Sequence, residues 1–432
     1  MRPARDLYLG IDFGSTGCRA VAIDESRAMV AQASVPLPAS RRARDRVTQD
    51  PLHWWQALVA CLRGLLMQID ARRVKRLAVD GTSGTVLLCD KRGNPITLAL
   101  MYDDRRAKLQ AARVARVAGT ACGAHGANAS LAKLLWLQGT DSRRRAAHLL
   151  HQADWIGNRL TGSFGHSDYN NCLKLGYDAQ AARWPDWFGE LSIDEALLPR
   201  VHAPGEVLGT LCAGAAAALG LPPETEVAAG TSDGVAAFLA AGASAPGDAV
   251  TSLGTTLVLK LLSTQPVFSP AHGVYSHRLG GRWLAGGASN SGGAVLLRHF
   301  SEERLREMTP LLDPEHPTGL DYYPLPRAGE RFPIDDPGMQ PRLEPVPGDR
   351  VRFLQGMLEG IARIEAQGYR LLAELGAPPL KRAWTTGGGS RNPAWTRIRE
   401  RTLGVRLQRP KSEHAAYGAA LLAAGTVQKV FQ

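Results

Sequence analysis

Two stretches of the chain share one order of apolar and polar positions. Residues 7–23 form an apolar run, a glycine-bounded turn and a second apolar run. Residues 249–262 repeat that order around the sequence Gly-Thr-Thr. Each pattern predicts a β-hairpin. Their repetition predicts two similar α/β domains that face each other across a cleft.

Between these hairpins, short apolar runs alternate with segments of helical periodicity. Asp50 and Pro51 are residue types that are preferred at a helix N-cap and at the first helical position. Helices are predicted over residues 51–69, 130–138, 142–150, 153–160, 235–241, 351–375, 392–402 and 414–424, and further strands over 29–35, 76–80, 86–89, 97–101, 226–230 and 382–386. Residues 167–171 are polar and predicted to be a turn. This alternation predicts an α/β fold with domains at 1–228 and 229–432.

Charge and cysteine spacing narrow the classes of function. The chain has 432 residues, a net charge of +11 and six cysteines. A basic protein attracts nucleic acids, anionic membranes or phosphorylated small molecules. The arginines are scattered, however, and no RNA-binding, zinc-finger or basic-zipper pattern accompanies them, so no nucleic-acid partner is expected. The cysteines form no C-x-x-C pair, which argues against a disulfide framework and structural zinc.

No apolar segment resembles a leader or a membrane span. The sequence before residue 7 is polar, and no later apolar run is long enough to cross a bilayer. We therefore expect a soluble, cytoplasmic protein without a membrane partner, as a monomer or a homodimer.

The first hairpin carries residues suited to a metal ion and a phosphate. Asp12 ends its first strand, and Ser15 and Thr16 supply hydroxyls and turn amides. An ordinary hairpin with a turn-favouring aspartate explains the same residues. Neither G-x-x-x-x-G-K-[ST] nor G-x-G-x-x-G occurs here, so a nucleotide would need an architecture other than a Walker or Rossmann loop.

Two further carboxylates follow predicted strands. Asp233 stands where a strand passes into a helix, and there it serves as an N-cap or a general base, the cap being the simpler explanation. Asp103 lies in the sequence Tyr-Asp-Asp-Arg-Arg, which either grips the hydroxyls of a polar ligand or caps a helix.

A glycine-rich segment in the second half is suited to a nucleoside. Gly388 and Gly389 leave bare backbone before a helix that begins near Asn392, where an adenine and a ribose can lie close. Trp395 in that helix is either a flat apolar surface for the base or a core indole.

Taken together, these segments resemble the FGGY family of carbohydrate kinases. The resemblance is carried by LGIDFGSTGCRA, DGTSGT, MYDDRRA, SDYNNCLKLGYD, GTSDG, SLGTT and TTGGGSRNPAWTRI, which run through most of the chain. Within the family, the short length and the sequences DGTSGT, SDYNNCLKLGYD and GGGSRNPAW are most similar to the small D-ribulokinases of cyanobacteria and plants.

The resemblance implies a fold and a reaction. The fold would be two ribonuclease-H-like domains of the actin and hexokinase superfamily, with a central cleft. The reaction would be the phosphorylation of D-ribulose to D-ribulose 5-phosphate with ATP and Mg²⁺. D-xylulose or another pentulose or polyol is the alternative acceptor. The alternative from a different class of function is an actin-like ATPase, or a sugar sensor without catalytic activity.

The resemblance also implies a role for each matching residue. Asp12 would hold the metal and lie near the transferred phosphate and the sugar, and Asp233 would take the proton from the sugar hydroxyl. Ser83 would contact the ketose. We expect Asp103, which could grip the hydroxyls of a polar ligand, to bind the sugar at the same site. The expected ATP contacts are Ser15, Thr16, Arg19 and Thr255 at phosphate and Gly388, Gly389, Asn392 and Trp395 at the nucleoside. The first turn has Gly-Ser-Thr-Gly where many relatives have Gly-Thr-Ser-Gly, which should change positioning more than chemistry.

Overall fold

The computed structural model describes residues 6–425 and residue 431. The strands are β1 (Leu7–Phe13), β2 (Gly17–Asp24), β3 (Met29–Pro36), β4 (Arg41–Ala43), β5 (Arg46–Gln49), β6 (Val74–Gly81), β7 (Val86–Cys89), β8 (Ala99–Leu100), β9 (His148–His151), β10 (His166–Asp168), β11 (Arg200–His202), β12 (Val207–Thr210), β13 (Glu226–Ser232), β14 (Asp248–Leu253), β15 (Leu257–Ser263), β16 (Tyr275–Leu279), β17 (Arg282–Ser289), β18 (Arg382–Thr386) and β19 (Leu407–Gln408). The helices are α1 (Pro51–Leu66), α2 (Lys108–Val117), α3 (Ser130–Gln138), α4 (Gln152–Thr161), α5 (Ala213–Leu219), α6 (Asp233–Ala241), α7 (Gly293–Leu297), α8 (Glu302–Met308), α9 (Arg350–Glu374), α10 (Pro393–Leu403) and α11 (Ala415–Ala423).

The chain divides into two compact units, as the repeated pattern predicts. The first contains the described residues up to Ala240, together with His277–Gly281 and those from His414 onward. The second contains Ala241–Ser276 and Arg282–Glu413. The division lies after Ala240, whereas the sequence predicts residue 228, because β13 and α6 up to Ala240 stay with the first unit.

A six-stranded mixed sheet is the centre of the first unit. Its order is β12-β13-β6-β1-β2-β3, with β1, β6 and β13 parallel to one another. The predicted first hairpin is confirmed, because β1 and β2 pair in antiparallel register from Leu7 with Asp24 to Phe13 with Cys18. Helix α1 begins as predicted, with Asp50 accepting a hydrogen bond from the Leu52 amide over 2.9 Å. Its apolar face joins the sheet in one buried core that includes Trp54, Leu58, Leu62 and Leu65.

The second six-stranded sheet has the order β16-β17-β15-β14-β18-β19. The predicted second hairpin is confirmed by the antiparallel pairing of β14 and β15, and β18 lies parallel to β14 on its other side. The long helix α9 buries one face in the core of this unit, where Phe353, Met357, Ile361 and Ile364 are enclosed. This second sheet therefore repeats the strand pattern of the first, a hairpin flanked by a parallel strand.

Some predicted elements are wrong. Residues 142–150 form no continuous helix: Asp141–Arg145 is a short 3₁₀ turn, and His148–His151 is the strand β9, which pairs with β7. Of residues 167–171, predicted to be a turn, Ser167 and Asp168 instead belong to β10 and are buried, whereas residues 169–171 form the turn. In both segments, pairing with distant strands decides the conformation.

Among the described residues, no helix has the combination of length and apolar character that crossing a membrane requires.

Candidate active site

Three parallel strands of the first unit end at one level, and each carries a polar residue there. In the register, Asp12 of β1 lies beside Asp80 of β6, and Asp80 lies beside Thr231 of β13. Asp233 follows two residues after Thr231 and begins α6. Because parallel strands present their carboxyl ends at the same sheet edge, the fold brings Asp12, Asp80 and Asp233 together.

A glycine in β13 permits this arrangement. The register between β13 and β6 is irregular between Ala228 and Thr231. A Cβ added at Gly230 would lie 1.8 Å from the Val79 carbonyl oxygen, a distance that no side chain tolerates. Only glycine allows β13 to approach β6 so closely that Thr231 and the residues after it align with Asp80.

Burial and neighbouring carboxyl groups shift the pKa values of Asp12 and Asp80. Burial raises the pKa of Asp12 to about 6, and Asp233 adds to the rise, whereas Asp80 and Arg19 act against it. Burial, followed by Asp12 and Asp233, raises the pKa of Asp80 well above its usual range. Like charges that share a buried site disfavour full ionisation. Perturbed carboxyl groups of this kind are typical of functional sites.

The turn after β1 presents the two predicted hydroxyl residues. The Gly14 amide donates to the Gly17 carbonyl over 3.0 Å, which closes the turn. Thr16 is exposed and Ser15 is half-buried. Arg19 pairs with Asp12 in the register of the hairpin, and its Nη1 donates to Nδ1 of His414 over 3.0 Å. A guanidinium therefore stands beside the turn, where an anion would lie.

The segment after β6 is held by a buried glutamine. Oε1 of Gln152 accepts hydrogen bonds from the amide and the hydroxyl of Thr82, over 3.0 and 2.8 Å. Nε2 of Gln152 and Oγ of Ser83 are both buried and have no hydrogen-bond partner among the described residues. Buried polar groups without partners are costly, so these atoms indicate a place for a polar ligand.

Asp103 does not cap a helix. Its Oδ2 accepts from Nη1 of Arg42 over 2.8 Å, and its Oδ1 is buried without a partner in the described part of the chain. Helix α2 begins only at Lys108 and has no side-chain cap. Burial raises the pKa of the Tyr102 hydroxyl, and the charges of Asp103 and Asp233 both add to this effect. The Tyr102 hydroxyl therefore experiences the charges of both Asp103 and Asp233.

In the second unit, two glycine turns follow neighbouring parallel strands. Thr255 is exposed in the turn after β14, and Gly388 and Gly389 follow β18. Ser252 pairs with Thr386, so both turns leave the same sheet edge. A Cβ at Gly388 would meet open space, whereas one at Gly389 would lie 2.7 Å from Leu253 Cβ. The predicted contacts Thr255, Gly388 and Gly389 thus share one edge.

Asn392 and Trp395 lie at the start of α10. Asn392 is the N-cap, and its Oδ1 accepts from the Trp395 amide over 2.9 Å. The Trp395 side chain is in the core, only 3% exposed, and its indole donates to the Leu358 carbonyl over 3.1 Å. The structure therefore places Trp395 as a core indole, the alternative to an open surface for the base.

The geometry adds residues that the motifs do not single out. Asp80 lies inside the motif DGTSGT, where the sequence alone does not distinguish it from a turn residue. Asn170 donates through Nδ2 to the Thr231 hydroxyl over 3.1 Å, while its Oδ1 is buried without a partner among described residues. Ser232 is also buried with an unpartnered hydroxyl in that part of the chain. For Asp80 the one signal in the sequence is its place directly after an apolar run, and Asn170 and Ser232 have no such signal.

The residues fit a Mg²⁺ ion held mainly by a nucleotide. No group of three or more His, Cys, Asp or Glu side chains in the described ranges could hold a metal alone. Mg²⁺ commonly binds one or two carboxylates together with substrate phosphates and water. Asp12 supplies one such carboxylate directly before a turn suited to phosphate.

Comparison with known proteins identifies related sequences and structures. Residues 7–240 match the FGGY family of carbohydrate kinases, N-terminal domain, and residues 249–426 match its C-terminal domain. A xylulose kinase of Streptomyces coelicolor is 29% identical over 97% of this chain and 88% of its own length. The crystal structure of a xylulose kinase from Rhodospirillum rubrum is 25% identical, covering 97% of this chain and 89% of that chain, with a TM-score of 0.86. A Plasmodium falciparum glycerol kinase with ADP, 16% identical over 98% of this chain and 90% of its own, shares the fold with a TM-score of 0.86.

Proposed function

Because the chain belongs to the FGGY family of carbohydrate kinases, we propose that it transfers the γ-phosphate of ATP to the terminal hydroxyl of a ketopentose. The observation that carries the proposal is the common strand end of Asp12, Asp80 and Asp233. Phosphoryl transfer needs an in-line acceptor, neutralised phosphate charge and a group that accepts the hydroxyl proton. Carboxyl groups of the kind that bind a metal ion or accept a proton meet at that end of the sheet.

In the proposed mechanism, Asp233 is the general base. It begins α6, and its Oδ1 accepts from the Gly234 amide over 2.6 Å. Its carboxylate would take the proton of the sugar hydroxyl as the hydroxyl oxygen attacks the γ-phosphorus and ADP leaves. Ser83 and Asp103 would orient the sugar through their buried oxygens that lack partners among the described residues.

The proposed ATP contacts come from the two hairpin turns and the glycine-rich segment. Ser15, Thr16 and Arg19 of the first hairpin and Thr255 of the second would bind phosphate. Gly388, Gly389 and Asn392 would line the nucleoside. Asp12 would hold Mg²⁺, which neutralises charge on the phosphate oxygens when bound.

Two acceptors are supported by different observations. D-xylulose is supported by the names of the relatives, of which several are xylulose kinases. D-ribulose is supported by the resemblance of DGTSGT and SDYNNCLKLGYD to small ribulokinases. A single hydrogen bond to a hydroxyl can decide between such epimers.

A panel of acceptors tests the substrate. ADP release would be measured with D-xylulose, D-ribulose, ribitol and glycerol, and kcat/KM compared. We expect one of the two ketopentoses to give the highest value, about tenfold or more above either polyol. A higher kcat/KM for ribitol or glycerol would contradict a ketopentose kinase. Fast ATP hydrolysis that no sugar stimulates would instead support the ATPase alternative.

Replacement of the base tests the mechanism. Asp233→Ala should lower ketose-dependent kcat by about a hundredfold or more while ATP still binds. Asp70→Ala, which removes an exposed carboxylate from the same unit, is the matched control and should leave kcat unchanged. Wild-type kcat in Asp233→Ala would remove this residue from the mechanism.

A further inference from the structure

Lys133 is a fully buried lysine in α3. Its exposed fraction is 0%, and its Nζ donates to the carbonyl oxygens of Gly84 and Met101, each over 2.7 Å. Among the described residues it forms no ion pair, since the nearby Asp104 is bound by Arg106 at 2.7 Å. A buried ammonium is costly, and here backbone oxygens rather than a carboxylate stabilise it.

The two carbonyls belong to the two segments that carry the proposed sugar contacts. Gly84 directly follows Ser83, and Met101 lies two residues before Asp103. Ser83 and Asp103 each retain one buried oxygen without a partner in the described chain. Lys133 is thus the link between the two groups that would meet the sugar.

The direction of the Gly84 carbonyl depends on an unusual backbone conformation. Gly84 has a φ of +88°, and a Cβ there would lie 3.2 Å from the Asn128 carbonyl oxygen. Glycine adopts this left-handed conformation without strain. The hydrogen bond from Lys133 to the Gly84 carbonyl then fixes the direction in which that carbonyl points.

We propose that Lys133 is a positioning residue for the acceptor sugar. By joining the carbonyls of Gly84 and Met101, it holds Ser83 and Asp103 at a fixed separation, so that both bind hydroxyls of one ketose molecule. This inference rests on the proposed function, because it takes the acceptor to lie between these two segments. A positioning group of this kind affects sugar affinity and leaves ATP affinity unchanged.

Lys133→Met and Lys133→Gln test the proposal. Lys133→Met removes both donors, so the KM for the ketose should rise about tenfold or more, with the KM for ATP unchanged. Lys133→Gln keeps an amide with two N–H groups and should recover part of the ketose affinity. A merely structural role would lower the fraction of active enzyme, which reduces kcat and leaves both KM values as in the wild type.

Asn158→Ala is the matched control. Asn158 is also buried, and it also makes two backbone hydrogen bonds, donating to the His166 carbonyl and accepting from its amide over 2.9 Å each. Its removal should lower stability without raising the ketose KM. Equal increases of that KM in Asn158→Ala and Lys133→Met would overturn the proposal, as would a wild-type KM in Lys133→Met. If Lys133→Met fails to fold, the proposal would be overturned by a wild-type ketose KM in each of the two single variants Lys133→Gln and Lys133→Ser.

Calorimetric binding of D-xylulose and D-ribulose without ATP separates this inference from the proposed function. A wild-type protein that binds a ketose but does not phosphorylate it would contradict the proposed function alone. Weaker ketose binding by Lys133→Met would then still support the positioning role, and equal binding would overturn it. A wild-type protein that neither binds nor phosphorylates a ketose would overturn both.

Discussion

Arg399 and Glu365 form a buried ion pair in the second unit. The guanidinium donates to both carboxylate oxygens over 2.6 and 2.7 Å, and the two side chains are 1% and 0% exposed. Thr385 of β18 and Thr251 of β14 complete the network over 2.8 and 2.5 Å. The pair therefore joins α9 and α10 to the two strands that end in the turns of Thr255 and Gly388.

Breaking this pair should destabilise the second unit. Arg399→Ala leaves the buried Glu365 carboxyl group without its ion-pair partner, and we expect the free energy of unfolding to fall by about 3–5 kcal/mol. Arg397→Ala is the matched control on the same helix, because Arg397 and Glu315 form an exposed pair at 3.6 Å. The control should change stability by about 1 kcal/mol or less. Urea unfolding measures both variants, and equal effects would contradict the argument.

At the scale of single residues, the sequence shows which residue types are present but not which other residues they contact. Asp12 and Asp233 are identifiable because each follows an apolar strand. Arg399 lies in a helix with the sequence TRIRERT, where it resembles its exposed neighbours. Lys133 likewise has no local signal of burial. Which of several similar side chains is buried depends on contacts from distant segments, as with Glu365 and Gly84.

Helix α11 packs directly against strand β1 through a glycine. A Cβ at Gly10 would lie 1.9 Å from the Ala416 carbonyl oxygen and 2.1 Å from the Ala420 nitrogen. A Cβ at Gly418, within α11, would lie 1.9 Å from the Ala236 carbonyl oxygen of α6. Glycines at both contacts therefore allow α11 to approach the sheet and α6 closely.

Gly10→Ala tests this close packing. The added methyl group cannot avoid backbone atoms, so we expect the free energy of unfolding to fall by about 3 kcal/mol. Gly214→Ala is the control, because a Cβ at this exposed helical glycine would have no heavy atom within 4 Å. It should be neutral or stabilising by about 0.5–1 kcal/mol. Thermal unfolding distinguishes the outcomes, and a wild-type midpoint for Gly10→Ala would contradict the packing.

Elements with local signals are predictable, and elements formed by distant pairing are not. Both hairpins follow from apolar runs around glycine turns. Helix α1 follows from Asp50 and Pro51. Strand β9 resembles part of a helix in sequence because the preceding arginines and apolar residues have helical spacing, whereas its pairing with β7 involves residues far away in sequence.

At the scale of the whole molecule, repetition is the most informative signal. The two similar hairpins predict two similar units, and the structure has two six-stranded sheets, each with a hairpin beside a parallel strand. The sequence predicts those parts of the candidate site that lie in turns directly after strands. The boundary is less predictable, because a division between compact units depends on contacts that one sequence does not display.

The placement of α11 bears on how the protein is made. A ribosome releases β1 early, yet the helix that covers this strand is translated only after the whole second unit. Until then, the nascent sheet has an uncovered apolar face, and transiently exposed surface of this kind favours aggregation. Folding of the first unit is therefore completed only by a helix that follows the second unit in the sequence.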